Sequence, residues 1–118
     1  MRWIFLTIFL ATTGLHAVEK SIDVSTSGPV LIVAGSANKA IKVQCVFLTA
    51  NEAASFYFSS TTPLTGPIPL QAYGCFFTPY YAGFNWFTLY RGENLYLTQS
   101  GTARLSGRIY YTQDLYAP

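Results

Sequence analysis

The chain has 118 residues, room for one domain, and is 51% hydrophobic and 17% aromatic, too apolar for a disordered segment. Only 10% of it is charged, with a net charge of +2 from seven Lys and Arg against five Asp and Glu. The basic residues are scattered, which excludes the clustered footprint that nucleic acid binding needs, and so sparse a charge implies a surface partly covered by neighbours.

Residues 1–17 read as a targeting or anchoring segment. Arg2 gives a positive start, Trp3 to Leu15 an apolar stretch interrupted by Thr7, Thr12, Thr13 and Gly14, and His16 with Ala17 a small-residue exit. The stretch falls short of the roughly 20 apolar residues that a membrane-crossing helix needs. Two readings stand: a signal peptide cleaved after Ala17, or an uncleaved hydrophobic arm against a membrane or a partner subunit. The folded domain is expected over 18–118. Cleavage would remove His16, the only histidine.

From there on the pattern is that of strands. Short runs of Val, Ile, Phe, Tyr and Thr alternate with Gly, Pro, Asn and Ser, and helical periodicity is nearly absent. Strands are expected near Ser21–Ser25, Val30–Ala34, Ile41–Thr49, Ala54–Ser59, Ile68–Leu70, Cys75–Thr78, Asn85–Tyr90, Asn94–Gln99 and Ala103–Gln113. In the third, alternation places Ile41, Val43, Cys45 and Phe47 on one face, with Lys42 and Gln44 opposite. Val46 and Leu48 make the second face apolar too, which predicts a strand lying deep or at an interface. Pro63, Pro67, Pro69 and Pro79 confine the strands of Thr61–Tyr81 to edges or irregular stretches. Leu95 and Leu97 face inward, and Tyr90-Arg91-Gly92-Glu93 makes a tight connection in which Gly92 is free to take positive φ. Eight or nine short strands at this spacing predict an all-β fold, a single-domain β-sandwich or jelly roll.

Catalysis can be tested by elimination. Without His16 the common general base and metal ligand is missing. Glu19, Asp23, Glu52, Glu93 and Asp114 are far apart and each lies beside a turn or terminus. No G-x-S-x-G elbow, P-loop, G-x-G-x-x-G or calcium loop is present, and two cysteines alone do not make a zinc site. The expectation is a protein that is not an enzyme and takes no cofactor and no metal.

Cys45 and Cys75 are the only thiols. With export they would be bridged, closing a loop of about 30 residues worth roughly 3 kcal/mol. In a reducing compartment they would stay free as small hydrophobes. The aromatic stretch Phe76, Phe77, Tyr80, Tyr81, Phe84, Trp86 and Phe87 is the most unusual feature. It reads as core plus a contact surface made by Phe76, Phe77, Tyr80, Tyr81, Phe84 and Trp86, or else as a platform on which sugars stack.

The order of four motifs carries a resemblance. Ile41-Lys42-Val43 is followed by Thr62-Pro63-Leu64-Thr65-Gly66, then by Trp86-Phe87-Thr88 leading to Gly92-Glu93-Asn94-Leu95, and finally by Gly107-Arg108-Ile109-Tyr110-Tyr111. Taken together, from about Ser36 to Tyr116, they resemble small virion proteins of tailed bacteriophages, of the head-decoration or head-fibre kind, in which a T-x-x-x-G-E-x-L hairpin precedes a closing strand. The resemblance implies a jelly-roll-like sandwich, often trimeric, on or between major capsid subunits in a virion. The rival is an exported bacterial carbohydrate- or surface-binding module, secreted or periplasmic.

Overall fold

The side chains of Val43 and Val46 both point into the core although they lie three positions apart in β3, an offset that regular alternation would put on opposite faces. A β-bulge between Val43 and Cys45 reconciles them: Val43 stands opposite Tyr111 while Cys45 already stands opposite Tyr110. The extra residue, Gln44, reverses the alternation, so Ile41 and Val43 face inward before it and Val46, Leu48 and Ala50 after it. Cys45 and Phe47 therefore face outward, which corrects the expectation that they share the face of Ile41 and Val43. The strand is not buried on both faces; it changes phase halfway.

The computed structural model describes residues 18–79 and 85–115. All nine expected strands form: β1 Val18–Val24, β2 Gly28–Val33, β3 Lys39–Ala50, β4 Ala54–Ser59, β5 Ile68–Leu70, β6 Cys75–Phe77, β7 Phe87–Leu89, β8 Leu95–Gln99 and β9 Leu105–Leu115. The fold is all-β. One sheet runs β1-β9-β3, with β6 and β7 sharing the far flank of β3, and the other runs β2-β8-β4-β5. Every pairing is antiparallel. The ladders join β1 to β9, β2 to β8, β3 to β6 and β7, and β4 to β5, so the chain is a long folded-over ribbon wrapped into two facing sheets. That order is the jelly roll. The proline-containing β5 lies at an edge, as its composition requires.

Between the sheets lies one hydrophobic cluster, fed by Ile22 and Val24 from β1, Leu105 and Ile109 from β9, Phe56 and Phe58 from β4, and Leu95 and Leu97 from β8. Each fully buried large side chain contributes about 1.5–3 kcal/mol by leaving water. Phe56 and Phe58 meet edge to face at 5.9 Å and 88°. They bridge the sheets through Phe76 (5.4 Å from Phe56) and Trp86 (5.7 Å from Phe58). Gln99 is a buried polar strut: its Nε2 donates to Ala103 O at 2.7 Å and Thr26 O at 3.2 Å, tying two loops to the end of β8.

Tyr90–Glu93 is a tight turn, with Glu93 N donating to Tyr90 O at 3.2 Å and Gly92 at φ +80°. It is not a hairpin, however. β7 belongs to one sheet and β8 to the other, so the turn is a corner at which the chain crosses the sandwich. Gly92 N donates to Ser36 O, and Gly35 N to Asn94 Oδ1, which locks this corner to the β2–β3 loop.

Candidate contact surface

β1, β9, β3 and β6 send alternate side chains to the outer face of the larger sheet in aligned rows. The central row runs Ser21, Arg108, Phe47 and Phe77, each opposite the next. One flanking row carries Glu19, Tyr110 and Cys45, and the other Asp23, Ser106, Thr49 and Cys75. Directly opposed residues on one face have Cβ atoms about 5 Å apart, which makes Phe47 and Phe77 cross-strand neighbours. Phe47 is 41% exposed and Phe77 62%. Tyr110 and Cys45 border them half-buried, and Cys75 is exposed. Arg108 is ion-paired to Glu19, and Arg104 holds Asp23 through two contacts of 3.2 Å, so the charges beside the rings are locally balanced.

Alternation explains the position of each expected contact residue. Phe76 and Phe77 are neighbours in β6, so Phe76 turns into the core and only Phe77 faces out. Trp86 is half-buried, with its ring against Phe58, Phe76 and Phe87, and its N donates to Val43 O at 2.8 Å. Thr88 is exposed and Leu89 buried. Tyr80, Tyr81 and Phe84 lie outside the described residues, as do the segment 1–17 and Tyr116. The contact surface expected from Phe76 to Trp86 is thus divided: Phe76 and Trp86 belong to the core edge, and the outward partner of Phe77 is Phe47.

Cys45 and Cys75 are free. Cys75 stands opposite Thr49, four residues along β3 from Cys45. At about 3.3 Å per strand residue, that offset puts the two well beyond the roughly 7 Å Cα limit for a bridge. Burial pushes the Cys45 thiol above its ordinary pKa. Burial also pushes the Glu93 carboxyl up, but the Tyr90 amide at 2.9 Å and the Ser60 and Thr61 hydroxyls at 3.0 Å outweigh it and hold the carboxyl below its usual value. Glu93 is therefore an anionic clasp between the crossing turn and the loop after β4. Among the described residues, no group of three His, Cys, Asp or Glu is placed to hold a metal ion.

The smaller sheet has a different surface. No Asp, Glu, Lys or Arg occurs in β2, β4, β5 or β8. Leu31, Tyr57, Tyr96 and Thr98 alternate with its buried residues, and Leu31 is 49% exposed opposite Tyr96.

Phe47 as an outward residue escaped the sequence reading, because nothing in Lys42-Val43-Gln44-Cys45 marks the bulge. By strand order the chain is a jelly-roll sandwich with exposed aromatic and aliphatic side chains on its outer faces. No family model, curated protein or solved structure matches it.

Proposed function

We propose that this chain is a non-enzymatic structural subunit of a virion: a capsid-associated decoration or stabilising protein, or a minor virion protein, of the tailed-bacteriophage kind that its motif order resembles. It acts by burying its outer faces against copies of itself, preferably as a trimer, and against major capsid or other virion proteins, without cofactor or nucleic acid. The observation that carries this reading is the outward Phe47–Phe77 pair, two cross-strand phenylalanines partly exposed on a sheet face in a chain with few charges. A patch of this kind is what a docking neighbour covers, and aromatic anchors of this kind dominate the energy of such contacts. The charge-free strands of the smaller sheet support the same reading.

A second reading, an exported carbohydrate- or surface-binding module, draws on a different residue, the Tyr73 ring, which is 87% exposed. Light scattering on the purified full chain separates the two. A subunit built for assembly gives a multiple of 13.0 kDa; a stable monomer at micromolar concentration overturns assembly through copies of itself.

A further inference from the structure

Tyr73 is the only non-glycine residue at positive φ among the described residues, at +60°. A tyrosine there is strained by the approach of its Cβ to the backbone, and side chains in that region mark places where a fold holds a residue against its own preference. The position is firmly held. Tyr73 N donates to Ala50 O at 2.8 Å, Gly74 N to Gln71 O at 2.9 Å, and Ala50 N to Gly74 O at 3.3 Å. The ring gains nothing from burial, since it stays almost wholly in water. A residue that is both strained and exposed contributes little to the core, and its ring is open to contact from outside the chain.

Beside it lies an open cleft of about 240 Å³ lined by Thr49, Ala50, Asn51, Tyr73, Arg104 and Ser106. The cleft's frame is rigid. Arg104 N donates to Asn51 Oδ1 at 2.7 Å, Asn51 N to Arg104 O at 3.3 Å, and Thr49 Oγ1 to Ser106 O at 3.1 Å. Those bonds leave the Asn51 amide NH₂, the Ser106 hydroxyl and the Tyr73 hydroxyl to meet a guest. Arg104 has its charge matched by Asp23, so the site carries no surplus cation to select an anion. The volume is below the roughly 300 Å³ at which clefts begin to take drug-sized molecules.

We propose that this cleft binds one neutral pyranose unit of a saccharide. The ring's axial C–H bonds lie against the electron-rich face of Tyr73, and its hydroxyls exchange hydrogen bonds with Asn51 and Ser106. The proposal rests on the binding-module reading: Thr49 and Ser106 lie in the row beside Phe47 and Arg108, so a bound sugar shares this face with any contact made through Phe47 and Phe77.

The test is saturation-transfer NMR on the full chain with methyl glucoside, methyl galactoside, N-acetylglucosamine and glucuronic acid, alongside Tyr73→Gly. Glycine adopts φ +60° without strain, so this variant keeps the fold and its melting temperature does not fall. The expected result is millimolar binding of at least one neutral sugar, weakened about tenfold or more in Tyr73→Gly, with the oligomeric mass unchanged. No transfer to any neutral sugar at tens of millimolar, binding undiminished in Tyr73→Gly, or binding of glucuronic acid alone would each overturn the proposal. A monomeric mass accompanied by sugar binding would count against the assembly reading and leave this one standing.

Discussion

Gly107 of β9 lies so close to the carbonyl of Phe47 in β3 that a Cβ on it would overlap the carbonyl oxygen and sit 2.7 Å from the carbonyl carbon. The same ladder places Gly107 opposite both Leu48 and Ile22, at the middle of the larger sheet. Here the glycine of the closing Gly107-Arg108-Ile109 motif has a physical reason, since only hydrogen fits. Gly107→Ala must move backbone, and overpacking of that kind costs about 3 kcal/mol. Chemical denaturation of the variant should show an unfolding free energy lower by that amount, with the midpoint shifted down accordingly. An unchanged midpoint would mean that the β3–β9 register is wrong.

Glu93 gives a pH signature. Its folded carboxyl is held below the usual range, so the folded state binds fewer protons there than the unfolded chain. The stability it contributes is fully present above the ordinary carboxyl value of about 4.3, and it is lost as pH falls through the lower folded value. Glu93→Gln should cost about 1 kcal/mol at neutral pH, because the clasp is partly exposed and loses its charge-assisted bonds. The gap between wild type and variant should close on acidification below about pH 4. A gap of constant size from neutral to acid pH would show that the carboxylate is not the clasp.

How far the sequence could be read depends on where its period of two held. β4 and β8 alternate cleanly, and Phe56, Phe58, Leu95 and Leu97 are buried as the pattern requires. The proline-bearing stretch placed β5 at an edge for the reason that proline cannot donate to a ladder. The pattern failed at Gln44, where one inserted residue moved Cys45 and Phe47 from the expected inner face to the outer one. No side-chain signal announces a bulge, because it is decided by what the partner strand β9 presents. The β7–β8 turn was legible as a turn but not as a crossing between sheets, because a turn's own residues do not say which sheet follows. Tyr73 had no signal beyond its place before Gly74, as φ is not written in residue type.

The two thiols should behave as separate groups. Cys75 is exposed, whereas burial raises the Cys45 thiol and lowers its reactive thiolate fraction. A thiol reagent at pH 7.5 should label Cys75 quickly in the native protein, and Cys45 slowly or only on unfolding. Mass spectrometry of the unreduced chain with no free thiol would show a bridge and contradict the β3–β6 register.

Trp86 reports on the aromatic core edge. Its contacts with Phe58, Phe76 and Phe87 predict a blue-shifted emission that acrylamide quenches poorly, read in a Trp3→Phe background so that Trp86 is the sole tryptophan. Trp86→Ala should destabilise the fold by about 2–3 kcal/mol, below the full cost of a wholly buried ring. Red-shifted, readily quenched emission would place the ring in water and remove it from the core edge.

If the Phe47–Phe77 face is the contact surface proposed above, sedimentation equilibrium of wild type against Phe77→Asp shows it. Phe77 is exposed in the single chain, so a carboxylate there leaves the strand content intact by circular dichroism while placing a charge in the middle of the contact. The expected result is an oligomeric wild type and a Phe77→Asp variant of 13.0 kDa. A wild type that sediments as a monomer, or a variant that keeps the wild-type oligomeric mass, would contradict it.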